Sequence, residues 1–151
     1  MQNQPLKQII LYTDGSSLGN PGPGGYGGIL EYKGIRKEYF GGDADTTNNR
    51  MELQAVIEGL KLLKEPCNVE IISDSSYVIK AINEWLDSWI AKGFKKVKNV
   101  DLWMDYIKVA KPHRIHGTWI RGHDGHPENE RCDELARSEA ERIKKTLFNM
   151  E

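Results

Sequence analysis

The chain has 151 residues, 38% of them hydrophobic and 28% charged, with a net charge of −1. That balance fits a soluble globular protein with room for one core and not for two, so a single domain spanning 1–151 is expected, its core at about residues 6–146. No apolar run is long enough to span a membrane, MQNQPLKQ lacks the basic-then-apolar pattern of a secretory signal, and Cys67 and Cys132 stand in no metal-ligand spacing, as expected of reduced thiols in a cytoplasmic protein.

The organised part of the chain opens with Lys7–Gly25, KQIILYTDGSSLGNPGPGG. Ile9–Tyr12 is an apolar, β-prone run, and a strand over Ile9–Asp14 ending in one carboxylate is expected. Tyr26–Tyr32 and Arg36–Gly41 read as two further strands turning at Lys33-Gly34, antiparallel neighbours by their short spacing. GGDADTTNNR reads as a polar loop. A helix from about Thr47 to Lys64 follows, with Leu53, Val56, Ile57, Leu60 and Leu63 on one face and Pro66 as its stop. Glu52 lies at the edge of that face, in line with the small residues Ala55 and Gly59.

Val69–Ser73 is the next strand and Asp74 follows it at once. Ser75 and Ser76 are good caps for a helix over Tyr77–Trp85, continuing to about Ile90 and stopping at Gly93. The strand–helix–strand order makes the first and fourth strands parallel neighbours, so their ends should lie side by side. KGFKKVK, Lys92–Lys98, carries four lysines and no acid, an uneven charge that the near-zero total hides. Val100–Ala110 is a short helix stopped by Pro112. Ile115–Ile120 is a last strand, RGHDGHP a glycine-flanked loop, and Pro127 opens a helix to about Thr146 with Cys132, Ala136, Ala140 and Ile143 as its inner stripe.

Four acids thus occupy related places: Asp14 and Asp74 at strand ends, Glu52 and Asp133 on helix edges. Taken singly, each is more simply a cap or a solvated charge. Taken together, crowded carboxylates repel one another and bind protons too tightly unless a divalent cation shares the site. Oxygen ligands with water in the remaining positions suit Mg²⁺ or Mn²⁺, and two such ions can serve a phosphodiester cleavage.

Five stretches stand out in this order: YTDGSSLGNPGPGG at Tyr12–Gly25, TTNNRMEL at Thr46–Leu53, SDSSYV at Ser73–Val78, KNVDLW at Lys98–Trp103 and GHDGHPENERCDELA at Gly122–Ala136. Together they resemble bacterial, single-domain type 1 ribonuclease H. The resemblance implies a ribonuclease H-like α/β fold: a five-stranded mixed sheet, three strands antiparallel and two parallel, flanked by helices on both faces. It implies a cytoplasmic, monomeric endonuclease that hydrolyses the RNA strand of an RNA–DNA hybrid and leaves 5′-phosphate and 3′-hydroxyl ends. Asp14, Glu52, Asp74 and Asp133 match the acids that hold two Mg²⁺ ions, for which Mn²⁺ can substitute, with Asp14 on both ions. His123 matches the loop histidine that assists proton transfer or product departure.

The same resemblance assigns substrate contacts. Asn20, Asn48 and Asn49 match minor-groove contacts, where side chains that donate and accept can sense a 2′-hydroxyl. Thr47 and Asn99 match a pocket for a DNA phosphate, although Thr47 is equally a helix N-cap. Tyr77 and Trp85 match positions along the DNA strand, and Lys92, Lys95, Lys96 and Lys98 a basic protrusion. Trp85, Trp89, Phe94 and Trp103 also read as core, Trp103 most clearly. Ser76 takes the place of a larger polar residue that touches RNA. Asp45 replaces a basic residue, the loop between Gly93 and Val97 is short, and no separate N-terminal hybrid-binding module is expected; with Ser76 these departures point to a weaker grip on substrate, whereas Asp124, in place of a small neutral residue, stands beside His123 as a further charge and a further candidate metal contact. Two rival readings remain at this stage: another nuclease of the ribonuclease H-like or integrase superfamily, and a non-catalytic hybrid-binding module.

Overall fold

The computed structural model describes residues 5–149; the start of the segment read above for a signal pattern and the last two residues lie outside them. The elements are β1 (Lys7–Ser17), β2 (Gly22–Tyr32), β3 (Ile35–Thr46), α1 (Asn48–Lys61), β4 (Cys67–Ser73), α2 (Ser76–Lys80), a π-helical turn (Ala81–Trp85), α3 (Leu86–Ala91), α4 (Val100–Ala110), β5 (Arg114–Trp119) and α5 (Pro127–Asn149). The five strands form one sheet in the order β3-β2-β1-β4-β5. β1, β2 and β3 are mutually antiparallel, while β4 and β5 run parallel to β1.

The three antiparallel strands are longer than their hydrophobic patterns suggest. β1 continues three residues past Asp14, because Gly15, Ser16 and Ser17 pair with Tyr26, Gly25 and Gly24. β3 takes in GGDADT, expected as loop: Gly41, Gly42 and Asp43 pair with Tyr26, Gly25 and Gly24. Glycines and acids have low strand propensity and mask the alternation, but two such backbones satisfy each other's hydrogen bonds, and pairing overrides propensity. α1 stops at Lys61, earlier than Lys64, its last turn closed by the Leu62 N–H on the Gly59 and Leu60 carbonyls.

Helices cover both faces of the sheet. α1 lies on the face that carries Ile9 and Leu11 of β1. There Leu53, Val56, Ile57 and Leu60 meet Val69 and Ile71 of β4, with Val78 and the fully buried Trp103 closing the core. α5 lies on the other face, its stripe Cys132, Ala136 and Ala140 fully buried against β1 and β2. The approach is close: a side-chain carbon at Gly27 would stand 2.8 Å from the Cys132 carbonyl oxygen. The helical run from Ser76 to Ala91 is interrupted by the π turn, a feature that re-aims side chains and is frequent at functional sites.

Candidate active site

β1 and β4 pair in a constant register from Lys7↔Cys67 to Tyr12↔Ile72. Asp14 and Asp74 each lie two residues beyond that last pair, at matching levels on neighbouring strands. Here β4 ends while β1 runs on beside β2, so the sheet opens at a carboxyl end, where α/β sheets hold ligands. Helix α1 adds the third acid. Its first turn is capped by Thr47, whose hydroxyl accepts from the Arg50 N–H at 3.3 Å, and Glu52 follows in the second turn.

Gly15 lets the third acid arrive. A side chain there would collide with the backbone of Met51 and Glu52. In its absence the Gly15 N–H donates to Glu52 Oε1, and to Asp14 Oδ1 at 3.0 Å. The carboxylates of Asp14, Glu52 and Asp74 each offer an oxygen, and these oxygens lie within 4.8 Å of one another. Asp14 and Glu52 are only 5% and 6% exposed, and Asp74 is half-buried. Capping of α2 falls to Ser75, whose hydroxyl accepts from the Val78 N–H at 3.2 Å, which leaves the Asp74 carboxylate to the cluster.

Crowding and burial reset the acidity. Burial pushes Asp14 up to about 7, helped by the nearby charges of Asp74 and Asp133 and opposed by its contacts with Glu52 and Gly15. Burial also raises Glu52 well above the usual carboxylate range, and the charge of Asp14 adds to it. Without a cation the cluster therefore holds protons at neutral pH. A set of convergent carboxylate oxygens that burial and mutual repulsion keep protonated fits a hard divalent ion, which would displace the protons.

Asp133 stands apart from these three. It is half-buried on α5, where the Arg137 Nε donates to its Oδ2 at 2.8 Å, yet its charge reaches Asp14. Asp133, Arg137, His123, Glu130 and Glu134 line one open hollow of about 620 Å³. His123 is exposed at its rim with φ 57°, followed by Gly125 at φ 76°.

Six expected substrate contacts converge. Asn20, Thr47, Asn48, Asn49, Lys98 and Asn99 line a hollow of about 240 Å³. Asn48 is tied to β1, its Oδ1 accepting from the Ser17 N–H at 3.0 Å. Asn99 is fixed from two sides: its Nδ2 donates to the Tyr77 hydroxyl at 3.1 Å and its Oδ1 accepts from Arg50 at 3.3 Å. Arg50 in turn makes a two-pronged bond to Asp101, at 2.9 and 2.6 Å. Tyr77 also accepts from the Trp103 indole at 2.9 Å, so it serves this network from a half-buried position. Arg50 and Asp101 were invisible as site residues in the sequence; only their adjacency to Asn49 and Asn99 hints at them.

The remaining contacts fall elsewhere. Ser76 faces a separate groove beside Trp119. Trp85 is 38% exposed and leans on Trp89, ring centres 5.8 Å apart. Lys92, Lys95 and Lys96 are exposed, as is Lys98 at the hollow, whereas Phe94 and Val97 between them pack against the core. The loop is thus a tight coil with apolar residues inside and charges outside, closed by Phe94 N–H on the Trp89 carbonyl at 2.8 Å. Asp45 is exposed, its N–H bonded to Asp43 Oδ1 at 3.0 Å. Among the described residues no helix is long and apolar enough to cross a membrane.

The family model for RNase H matches residues 6–141. A ribonuclease H of Sulfurovum sp. (strain NBC37-1) is 80% identical over 147 residues, covering 97% of this chain and 100% of that protein. A ribonuclease HI of Helicobacter pylori (strain ATCC 700392 / 26695) is 57% identical over 141 residues, covering 93% and 99%. Among solved structures, LC9-RNase H1, a type 1 RNase H with the type 2 active-site motif, superposes with a TM-score of 0.86 at 30% identity over 94% of this chain and 76% of that one. LC11-RNase H1, solved in complex with an RNA/DNA hybrid, gives 0.65 at 28% identity over 92% and 99%. The chain belongs to the RNase H family, as a ribonuclease H of the bacterial type 1 kind.

Proposed function

We propose that the enzyme hydrolyses the RNA strand of RNA–DNA hybrids, leaving 5′-phosphate and 3′-hydroxyl ends. The observation that carries this is the convergence of Asp14, Glu52 and Asp74, with oxygens within 4.8 Å, at the open end of the sheet. The LC11 relative solved with an RNA/DNA hybrid supports the choice of substrate. Asp14, Glu52 and Asp74, with Asp133 from α5, would hold Mg²⁺, two ions in all, and Mn²⁺ in its place. Bound there, the metal supplies a water acidic enough to attack near neutral pH and positive charge for the departing oxygen.

The chain's own groups do the rest. Glu52 and Asp14 are kept in place by the Gly15 N–H, so the ligand oxygens need no reorganisation. His123 delivers a proton to the departing 3′-oxygen. Its left-handed backbone supports a functional role, because four of the five non-glycine residues with positive φ among those described lie in the two substrate-side loops: Phe94, Lys96, Asn99 and His123. Asn20, Asn48 and Asn49 sense the 2′-hydroxyls, and Thr47 with Asn99 holds a DNA phosphate in the 240 Å³ hollow. Ser76 touches RNA; Tyr77 and Trp85 flank the DNA strand, with Lys92, Lys95, Lys96 and Lys98 on its backbone.

The test is a cleavage gel of end-labelled hybrid, double-stranded DNA and double-stranded RNA, each with and without Mg²⁺. Metal-dependent cutting of the hybrid's RNA strand alone is expected. Cutting of duplex DNA would favour another nuclease of the superfamily, and tight hybrid binding with no cutting would reduce the chain to a binding module.

A further inference from the structure

Trp119 is half exposed beside the acid cluster although it closes β5, and no part of the proposed chemistry uses it. Its one polar atom is already committed: Nε1 donates to the main-chain carbonyl of Asp74 at 3.0 Å. What remains in solvent is the apolar face of a large ring, fixed in direction. Such a face beside a catalytic centre is a contact surface awaiting a partner.

The ring forms one wall of a groove of about 450 Å³, completed by Ser76, Ile79, Lys80, Asn83, Glu84 and Gly117. The floor is rigid. β5 is the open edge of the sheet, and at Gly117 that edge is closed by Asn83, whose Nδ2 donates to the Gly117 carbonyl at 2.9 Å and whose Oδ1 accepts from the Gly117 N–H at 3.0 Å. Asn83 belongs to the π-helical turn, so that turn supplies the amide that closes the strand edge. Both its polar groups are used, and it is wall rather than reader.

The free chemistry of the groove is graded. Ser76, two residues from Asp74, offers an exposed hydroxyl. Lys80, one turn on, offers an exposed ammonium. Glu84, a further turn on, offers the opposite charge and limits how far an anion can extend. A hydroxyl, a cation and an aromatic face in sequence suit a sugar–phosphate backbone.

We propose that this groove is a subsite for the RNA strand: the next ribonucleotide along from the cleaved phosphate packs its sugar on the Trp119 ring and sets its phosphate toward Lys80. The inference rests on the hybrid-cleaving reading above and deepens it, because continuity with Asp74 makes the occupant the strand being cut rather than its DNA complement.

Binding of a fluorescein-labelled RNA–DNA hybrid is measured by anisotropy in an Asp14→Asn background, where no strand is cut. Trp119→Ala is expected to weaken binding about tenfold, the scale of one aromatic–nucleotide contact. Trp119→Phe, which keeps a ring and loses the N–H, stays within about twofold, and Lys80→Ala weakens binding about threefold with a shallower salt dependence. Tryptophan emission reports independently: hybrid quenches the Asp14→Asn protein, and Trp119→Phe in that background removes that part of the change. Equal affinities for the Ala variant and its parent overturn the subsite. So does a Phe variant as weak as the Ala variant, which would mean that the bond to the Asp74 carbonyl matters and the ring face does not. Failure of the Asp14→Asn parent to bind hybrid at all would instead sink the hybrid-cleaving reading.

Discussion

The main-chain N–H of Gly15 donates to the Glu52 carboxylate, and the strand that carries one acid thereby holds the next. The bond exists because position 15 has no side chain; one added there meets the backbone of Met51 and Glu52. Gly15→Ala should therefore push α1 away from β1. Overpacking of this kind costs about 1–3 kcal/mol, or roughly 2–12 °C in melting temperature for a chain of this size. Differential scanning calorimetry checks the loss of stability, and titration calorimetry with Mn²⁺ checks an accompanying loss of metal affinity. A variant that melts and binds metal like the parent would show that the contact is slack.

Asp14→Asn should separate stability from function. The carboxylate is 5% exposed and faces two other acids. Replacing it with a neutral amide of similar shape relieves that repulsion, so the metal-free protein should melt a few degrees higher, at about 2–4 °C per kcal/mol. Turnover should fall on the order of 10³-fold or more, since in the proposed mechanism several kcal/mol of metal-assisted stabilisation would depend on this carboxylate. Near-normal cleavage by the variant would remove Asp14 from the reaction.

The pH dependence of that stability difference has a definite sign. Asp14 binds its proton up to about 7 in the folded chain, against about 3.9 when unfolded. The folded state holds the extra proton in between, so its contribution is fully present below about pH 4, shrinks as pH rises, and is gone above about pH 7. Melting the metal-free parent beside Asp14→Asn across that range should show the gap widening in the variant's favour, by at most about 4 kcal/mol. Mg²⁺ replaces the protons, so the stabilisation that it gives should be larger at pH 8 than at pH 5.5.

The convergence of Asp14, Glu52 and Asp74 was legible in the sequence because each has a local signature: strand, then acid, then hydroxyl turn for Asp14 and Asp74, and a small-residue line on α1 for Glu52. The parallel register of β1 and β4 turns those signatures into adjacency. The full length of β2 and β3 was not legible, since Gly22–Gly25 and Gly42–Thr46 alternate in no hydrophobic pattern and become strand through pairing with each other and, for β2, with β1. Nor was the Arg50–Asp101 anchor, two charged residues that are ordinary surface choices until a fold brings α1 to α4. Trp119 read as one more strand residue, because an exposed ring and a buried one look alike in IHGTWI.

The Arg50–Asp101 bond predicts an indirect effect on binding. Asp101 is exposed, so the pair itself adds little stability. Its work is positional: it directs Arg50 onto Asn99, and Asn99 lines the hollow shared with Thr47 and Lys98. Asp101→Ala should raise KM for hybrid about three- to tenfold and leave kcat within about twofold, the pattern of lost binding that is uniform through the reaction. Asp101→Asn, which keeps an acceptor for Arg50, should recover most of the loss. A fall in kcat with unchanged KM would place the anchor in the chemistry instead.

In the proposed function the lysine loop sets the electrostatic part of the grip. Lys92, Lys95, Lys96 and Lys98 are exposed, and packing of Phe94 and Val97 against the core fixes the coil from which they project. Each lysine that meets a phosphate releases about one counterion, so replacing Lys95 and Lys96 with alanine should lower the slope of log affinity against log salt by about 2. Core packing stays intact in that double variant, and its melting temperature should hold. The loop is short and Asp45 adds a negative charge beside the Thr47 hollow, so the parent slope should be shallow to begin with, and Asp45→Lys should steepen it by about 1. Salt titrations of hybrid binding by the Asp14→Asn protein, with and without these changes, measure all three. A slope that ignores the lysines would mean that they are a solvated face and that the asparagines and Thr47 carry the grip without them.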